Sequence, residues 1–205
     1  DWNILLDNPS MTDACCLAVY NACRGSVKAE DLISAAHRGS VSLLTSLREA
    51  GPGIVLTDAM MTTALHAPSC MQALHSWGCP IRPDSLRHAC YYGHVDSATL
   101  LLDWGFPLQP SVTIGAIIGN HAEVLDLLTT HHVDLSSSDY LVKAAHYGAL
   151  ESLQWLLKHH PHHVNHRALQ DAMDAVPSWS HPRIHSYLQE QRATLPPPRL
   201  ERNHR

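Results

Sequence analysis

The tetrapeptide Trp77-Gly78-Cys79-Pro80 returns 27 residues later as Trp104-Gly105-Phe106-Pro107. A signal that recurs at a fixed interval of this size marks a chain built from stacked copies of one small unit. Gly51, Gly78 and Gly105 stand at that interval, and His132 and His160 take the next two equivalent places at steps of 27 and 28. Glycine tolerates the left-handed backbone that closes a helix, so the series predicts successive helix ends.

A second marker lies inside each unit: Ala35-Ala36-His37-Arg38-Gly39, Ala89-Cys90-Tyr91-Tyr92-Gly93, Ala116-Ile117-Ile118-Gly119-Asn120 and Ala144-Ala145-His146-Tyr147-Gly148. The small pair lets two helices approach closely, and the closing Gly or Asn permits a tight turn, so each unit reads helix, turn, helix. The second helix carries apolar residues at helical spacing, as in Val95, Ala98, Leu101 and Leu102, or Leu150, Leu153, Trp155, Leu156 and Leu157. Neither helix of a unit can bury its apolar face alone, so the units must stack and share one continuous core.

The runs "HACYYGHVDSATLLLDWG", "AAHYGALESLQWLLKHH" and "AAHRGSVSLLTSLREAG" resemble the "A-A-x-x-G-H-x-E-x-x-x-x-L-L-x-x-G" half of the ankyrin repeat. The resemblance implies an all-α, ankyrin-like solenoid of stacked helix-turn-helix repeats. Two departures stand out: the usual unit is about 33 residues, and the Thr-Pro-Leu-His opening of the first helix is absent. The finger between units must therefore be shortened. Short units of this kind are similar to the divergent arrays found in protists and in the large viruses that infect them.

This alignment divides the chain into an N-terminal cap (1–26), five repeats (27–164), a degenerate C-terminal capping repeat (165–191) and a Pro-rich tail (192–205). The cap contains a helix from Asp13 to Arg24, with Trp2, Ile4, Leu5 and Leu6 placed to cover the open end of the stack. The unit around Thr57 to Ile81 is the weakest internal one, with His66 where Gly is expected and Pro68 in place of an apolar residue. In the last unit, Pro177-Ser178-Trp179-Ser180 lengthens the turn between the two helices.

Composition excludes several roles. Hydrophobic residues make up 45% and charged ones 16% of 205 residues, which suits a folded chain rather than a disordered one. A net charge of -5 with both signs scattered provides no basic field, so nucleic acid is not the expected partner. The apolar run from Ile114 to Gly119 is too short to cross a bilayer. Six cysteines, Cys15, Cys16, Cys23, Cys70, Cys79 and Cys90, are too few for a disulfide scaffold at this length and read as small buried thiols. The segment "KHHPHHVNH" gathers His159, His160, His162, His163 and His166, but it straddles a helix end, a Pro and a loop, and lacks the fixed ligand spacing of a zinc site. His181 and His185 stand four apart, with Pro182 where the zincin pattern requires Glu. No nucleophile elbow or phosphate loop is present, so the expectation is a non-catalytic chain without metal or cofactor.

A surface remains. The resemblance implies that the two residues before each turn glycine project toward a concave groove that touches partners: His37 and Arg38, Ala64 and Leu65, Tyr91 and Tyr92, Ile118 and Gly119, His146 and Tyr147. The finger residues Cys79, Ile81, Arg82, Phe106 and His132 extend that surface. Its aromatic centre is rich in the residues that dominate binding hot spots. The expected role is a monomeric protein-binding module. The chain opens at Asp1 without an initiator Met, which fits an excised piece or a mature protein whose leader was removed. On the second reading, the protist resemblance implies a secreted effector that interferes with a host signalling protein such as a kinase. The alternative is an intracellular adaptor recruiting a client, and behind both stands a His/Cys metal-dependent enzyme.

Overall fold

The computed structural model describes residues 11–23, 27–176 and 180–196, apart from the side chains of Cys23 and His163. The expectations for Trp2, Ile4, Leu5 and Leu6, for Pro177 to Trp179, and for the chain beyond Pro196 lie outside the described residues. Among those described, every regular element is helical: α1 (Asp13–Cys23), α2 (Ala29–Arg38), α3 (Val41–Ala50), α4 (Asp58–Thr63), α5 (Pro68–Ser76), α6 (Ser85–Tyr91), α7 (Val95–Asp103), α8 (Pro110–Gly119), α9 (Ala122–Thr130), α10 (Ser138–His146), α11 (Leu150–His159), α12 (His166–Asp174) and α13 (Pro182–Thr194). One-turn 3₁₀ segments, Ala64–His66 and Pro161–His163, follow α4 and α11. The helices form two compact units, residues 1–89 with 96–106 and residues 90–95 with 107–205.

In the first unit α2 packs on α3 and on α4, the first helix of the next pair, and α3 packs on α1 and α5. The spacing of Leu32, Ala35 and Ala36 on α2, and of Leu43, Leu44 and Leu47 on α3, places six fully buried side chains on facing stripes. Met60, Met61, Cys70, Met71 and Leu74 continue this core. Ser40 starts α3 by accepting a hydrogen bond from the Leu43 N–H at 3.2 Å, and its hydroxyl donates to Asp13 Oδ2 at 2.6 Å. The N-cap of one helix is thereby tied to α1.

In the second unit α8 packs on α9 and α10, α10 on α11 and α12, α9 on α11, and α12 on α13. Val124, Leu125, Leu128, Leu153, Leu169, Ile184 and Leu188 lie in its core. Asn120 closes α8 in the left-handed region, at φ 63°. Its Oδ1 accepts from the backbone N–H groups of Glu151 (2.8 Å) and Ser152 (3.1 Å). Ala149, the N-cap of α11, has no side chain able to do this, so the neighbouring repeat supplies the cap.

The glycine series is only partly what spacing predicts. Gly78, Gly105 and His132 are left-handed, with φ between 60° and 84°, but Gly51 has φ -126° and His160 φ -123°. Both exceptions precede a proline, Pro52 and Pro161. The proline ring crowds the preceding residue out of helical backbone and toward extended geometry, so these two helices end by a different mechanism. Ala67, before Pro68, has φ -126° and ψ 86° for the same reason.

Candidate functional site

The surface expected from sequence resolves into three kinds of position. In the second unit, Tyr91, Tyr92 and Tyr147 are 39, 60 and 55% exposed. Tyr91 and Tyr92 meet edge to face, ring centroids 5.0 Å apart at 87°, and His146 and Tyr147 repeat that arrangement with the same distance and angle. The Tyr92 ring also lies 6.1 Å from His94. Such an edge-to-face contact favours one mutual orientation of the two rings. His146 is exposed, and its Nδ1 lies 3.1 Å from the Ala175 carbonyl oxygen, which fixes the end of α10 against the end of α12.

Between the two pairs the surface dips. Ile118 is half-buried, and Gly119 occupies the place held elsewhere by Tyr92 and Tyr147. A Cβ at Gly119 would fall on the carbonyl oxygen and carbon of Tyr91. The backbone at the end of α6 thus rests directly on α8, and only glycine allows the approach. The turn glycines make analogous contacts: a Cβ on Gly93 would meet the His121 ring at 2.6 Å, and one on Gly148 the His181 ring at 2.6 Å.

A second group is exposed or half-exposed but engaged. His37 is exposed, 5.9 Å edge-on from the His66 ring. Arg38 is half-buried, bonded to the Met11 carbonyl and 3.6 Å from Asp13. Arg82 is exposed, with Nε 3.1 Å from Asp84 Oδ1 and Nη1 3.9 Å from Asp58. The Arg82 hydrogen bond holds the Asp84 carboxyl below the usual carboxylate range, with His88 adding to the effect. Ile81 and Phe106 are half-buried, and His132 is exposed.

The third group corrects the expectation. Leu65 is 4% exposed and Ala64 fully buried, so both face the core of the first unit. Cys79 is buried too, its thiol directed to the Thr57 carbonyl at 3.2 Å. The cause for Leu65 is local: Ala64–His66 wind as a 3₁₀ turn, which is tighter than an α-helix and rotates the side chain off the register seen in the other repeats.

Burial pushes the Cys70 and Cys79 thiols up to about 11 and Cys90 to about 12, which suppresses the thiolate at neutral pH. Cys15, against expectation, is exposed. His159 stacks on Trp155 at 4.2 Å, and its Nδ1 lies 2.9 Å from the Trp155 carbonyl. Trp155 in turn donates through Nε1 to Asp126 Oδ1 at 2.8 Å. Among the described residues, no group of three or more His, Cys, Asp or Glu converges on a point that could hold a metal ion, and no helix is long and apolar enough to cross a membrane.

No family model and no curated protein matches the chain. Among solved structures, it is similar to the crystal structure of the human ASB11 ankyrin repeat domain, with a TM-score of 0.60 and 17% identity, covering 89% of this chain and 93% of that one. The fold is therefore the all-α ankyrin-repeat fold.

Proposed function

We propose that this chain is a non-catalytic protein-binding module, and that Tyr91, Tyr92, His146 and Tyr147, with Ile118 in the dip between them, form its docking face. The observation that carries this reading is the exposure of three large aromatic side chains at equivalent ends of first helices, each oriented by a neighbouring ring. Tyrosine offers large contact area at the cost of only two rotatable bonds, and the edge-to-face contacts favour one orientation of these rings, so a partner meets a surface that loses little entropy on binding. Arg82, Phe106, His37 and Arg38 belong to the first unit and are secondary contacts in this reading, since the two arginines are already held by Asp84 and by Met11 and Asp13.

The sequence resemblance extends the proposal to a secreted effector whose partner is a host signalling protein such as a kinase. The competing role is an intracellular adaptor with the same face and a different client.

The test begins with partner capture from host and native lysates, followed by affinity measurement on the purified partner. Tyr92→Ala and Tyr147→Ala should each weaken binding about tenfold or more, equivalent to about 1.4 kcal/mol. Val55→Ala, which removes the most exposed large apolar side chain of the first unit's described residues, should leave affinity unchanged. Equal affinities for all four proteins would move the docking face elsewhere.

A further inference from the structure

In the second unit the ends of the first helices place four residues at one repeat position: Tyr91, Ile118, His146 and Asp174. The next position holds Tyr92, Gly119, Tyr147 and Ala175. These ends adjoin one another: Gly119 lies on the Tyr91 carbonyl, α8 packs on α10, and His146 Nδ1 lies 3.1 Å from the Ala175 carbonyl oxygen. The row therefore runs from a tyrosine pair through an apolar dip and a His-Tyr pair to a carboxylate. Asp174 is exposed and accepts a hydrogen bond from Gln170 Nε2 at 2.7 Å, with no ion-pair partner among the described residues. Asp171, one turn earlier, lies 3.9 Å from Arg167, whose side chain is 92% exposed. On α10, Asp139 and Lys143 share the face of Tyr147 and offset each other in charge.

We infer that this face takes an extended, proline-rich segment of its partner in the polyproline II conformation, with prolines three residues apart along the aromatic part and a basic residue at the Asp174 end. The inference rests on the docking face proposed above and names the chemistry it binds. Spacing and charge carry it together. Packed helices lie ~8–10 Å apart, and one turn of polyproline II is three residues and ~9.3 Å. Residues i, i+3 and i+6 of such a segment therefore meet Tyr91 and Tyr92, Ile118, and His146 and Tyr147 in turn, and residue i+9 meets Asp174. A β-strand cannot follow this row, because its residues i and i+3 point to opposite faces. The space left by the missing side chain of Gly119 admits the ring at i+3. Proline-rich segments dock on aromatic-lined surfaces and are already extended before they bind, so little order is left to impose. Charge orients the segment: the tyrosines and Ile118 are neutral, whereas Asp171 and Asp174 outnumber Arg167 and favour Arg or Lys at i+9.

Two synthetic peptides, PPAPPAPPAR and PPAPPAPPAE, blocked at both termini, test this by titration into the isotope-labelled protein at low ionic strength, followed through its backbone amide shifts. The Arg peptide should move the amides of Tyr92, Gly119, Tyr147 and Ala175 and bind about fivefold more tightly than the Glu peptide. Asp171→Asn with Asp174→Asn should remove that preference, and Tyr147→Ala should weaken the Arg peptide about tenfold, with the amide shifts of α9 and α11 in place in both variants. No movement of these amides up to about 1 mM peptide, or equal affinity for the two peptides, overturns the inference. A lysate partner that is lost with Tyr92→Ala and Tyr147→Ala but binds through a helix or a folded surface also overturns it, while the docking face stands. Peptide binding that both tyrosine variants leave unchanged overturns the docking face and this inference together.

Discussion

The ends of α4 and α10 are equivalent in the repeat, yet one is core and the other is surface. At the end of α10, His146 and Tyr147 precede Gly148, whose left-handed backbone (φ 79°) turns the chain at once and leaves both side chains outside. At the end of α4, no such glycine is available, and the chain tightens into a 3₁₀ turn before Ala67 and Pro68 redirect it. Each 3₁₀ residue rotates about 20° further than an α-helical one, and Leu65 ends in the core at 4% exposure. A repeat position therefore has no fixed role: the turn that follows decides whether its side chain stabilises the stack or is left to meet a partner.

The largest expected effect tests that division directly. Leu65→Ala should cost about 2–5 kcal/mol, the range for truncating a buried leucine, read from urea unfolding followed by circular dichroism. Tyr147→Ala, at the equivalent position of the last internal repeat, should stay within about 0.5 kcal/mol, as surface substitutions do. Comparable losses at the two positions would erase the distinction. Next in size is Gly119→Ala, which drives a methyl group into the Tyr91 carbonyl. Backbone cannot swing aside as a side chain can, so a loss of about 2–3 kcal/mol is expected, at the upper end of overpacking. Binding should fall with it, because Tyr91 and Tyr92 are seated on that contact.

Asn120 separates two contributions to the turn. Asn120→Gly keeps the left-handed backbone at φ 63° and loses only the bonds to the Glu151 and Ser152 N–H groups, a change of about 1 kcal/mol. Asn120→Ala loses the same bonds and adds the left-handed penalty, for about 2–3 kcal/mol in all. Identical losses for the two variants would mean that the forward cap carries the whole effect.

Much of this was legible in the chain. The two glycine markers located the helix pairs, and the apolar spacing of Ala98 and Leu101, and of Leu153, Trp155, Leu156 and Leu157, identified faces that are buried. What escaped depends on neighbours rather than on the residue itself. Leu65 looked like a surface position because repeat spacing assigns it one, while the informative signal was the missing glycine at His66 combined with Pro68 two residues later. Gly51 and His160 were placed among left-handed helix ends by spacing alone, although the prolines after them already ruled against that backbone. Asn120 read simply as a residue tolerant of the turn. Its forward reach had a faint signature, the Ala at position 149 where an N-cap side chain belongs. The register of the edge-to-face pairs is a product of packing, which no local pattern encodes.

The smallest expected effect concerns Arg82, a residue of the first unit that sequence assigned to the contact surface and that the fold engages with Asp84 and Asp58. The Arg82 guanidinium lowers the Asp84 carboxyl below its unfolded value. A carboxylate lowered in this way contributes stability that is present above the unfolded value and is lost as pH falls through the folded one. The pair is open to water, so its contribution is screened. Arg82→Gln should therefore return Asp84 toward the ordinary carboxylate range in an NMR pH titration while barely moving the urea midpoint at neutral pH. Because Arg82 is already engaged by these carboxylates and is only a secondary contact, removing it should also leave partner affinity nearly unchanged. A tenfold loss of affinity with an unmoved Asp84 titration would instead make Arg82 a direct contact and carry the docking surface into the first unit.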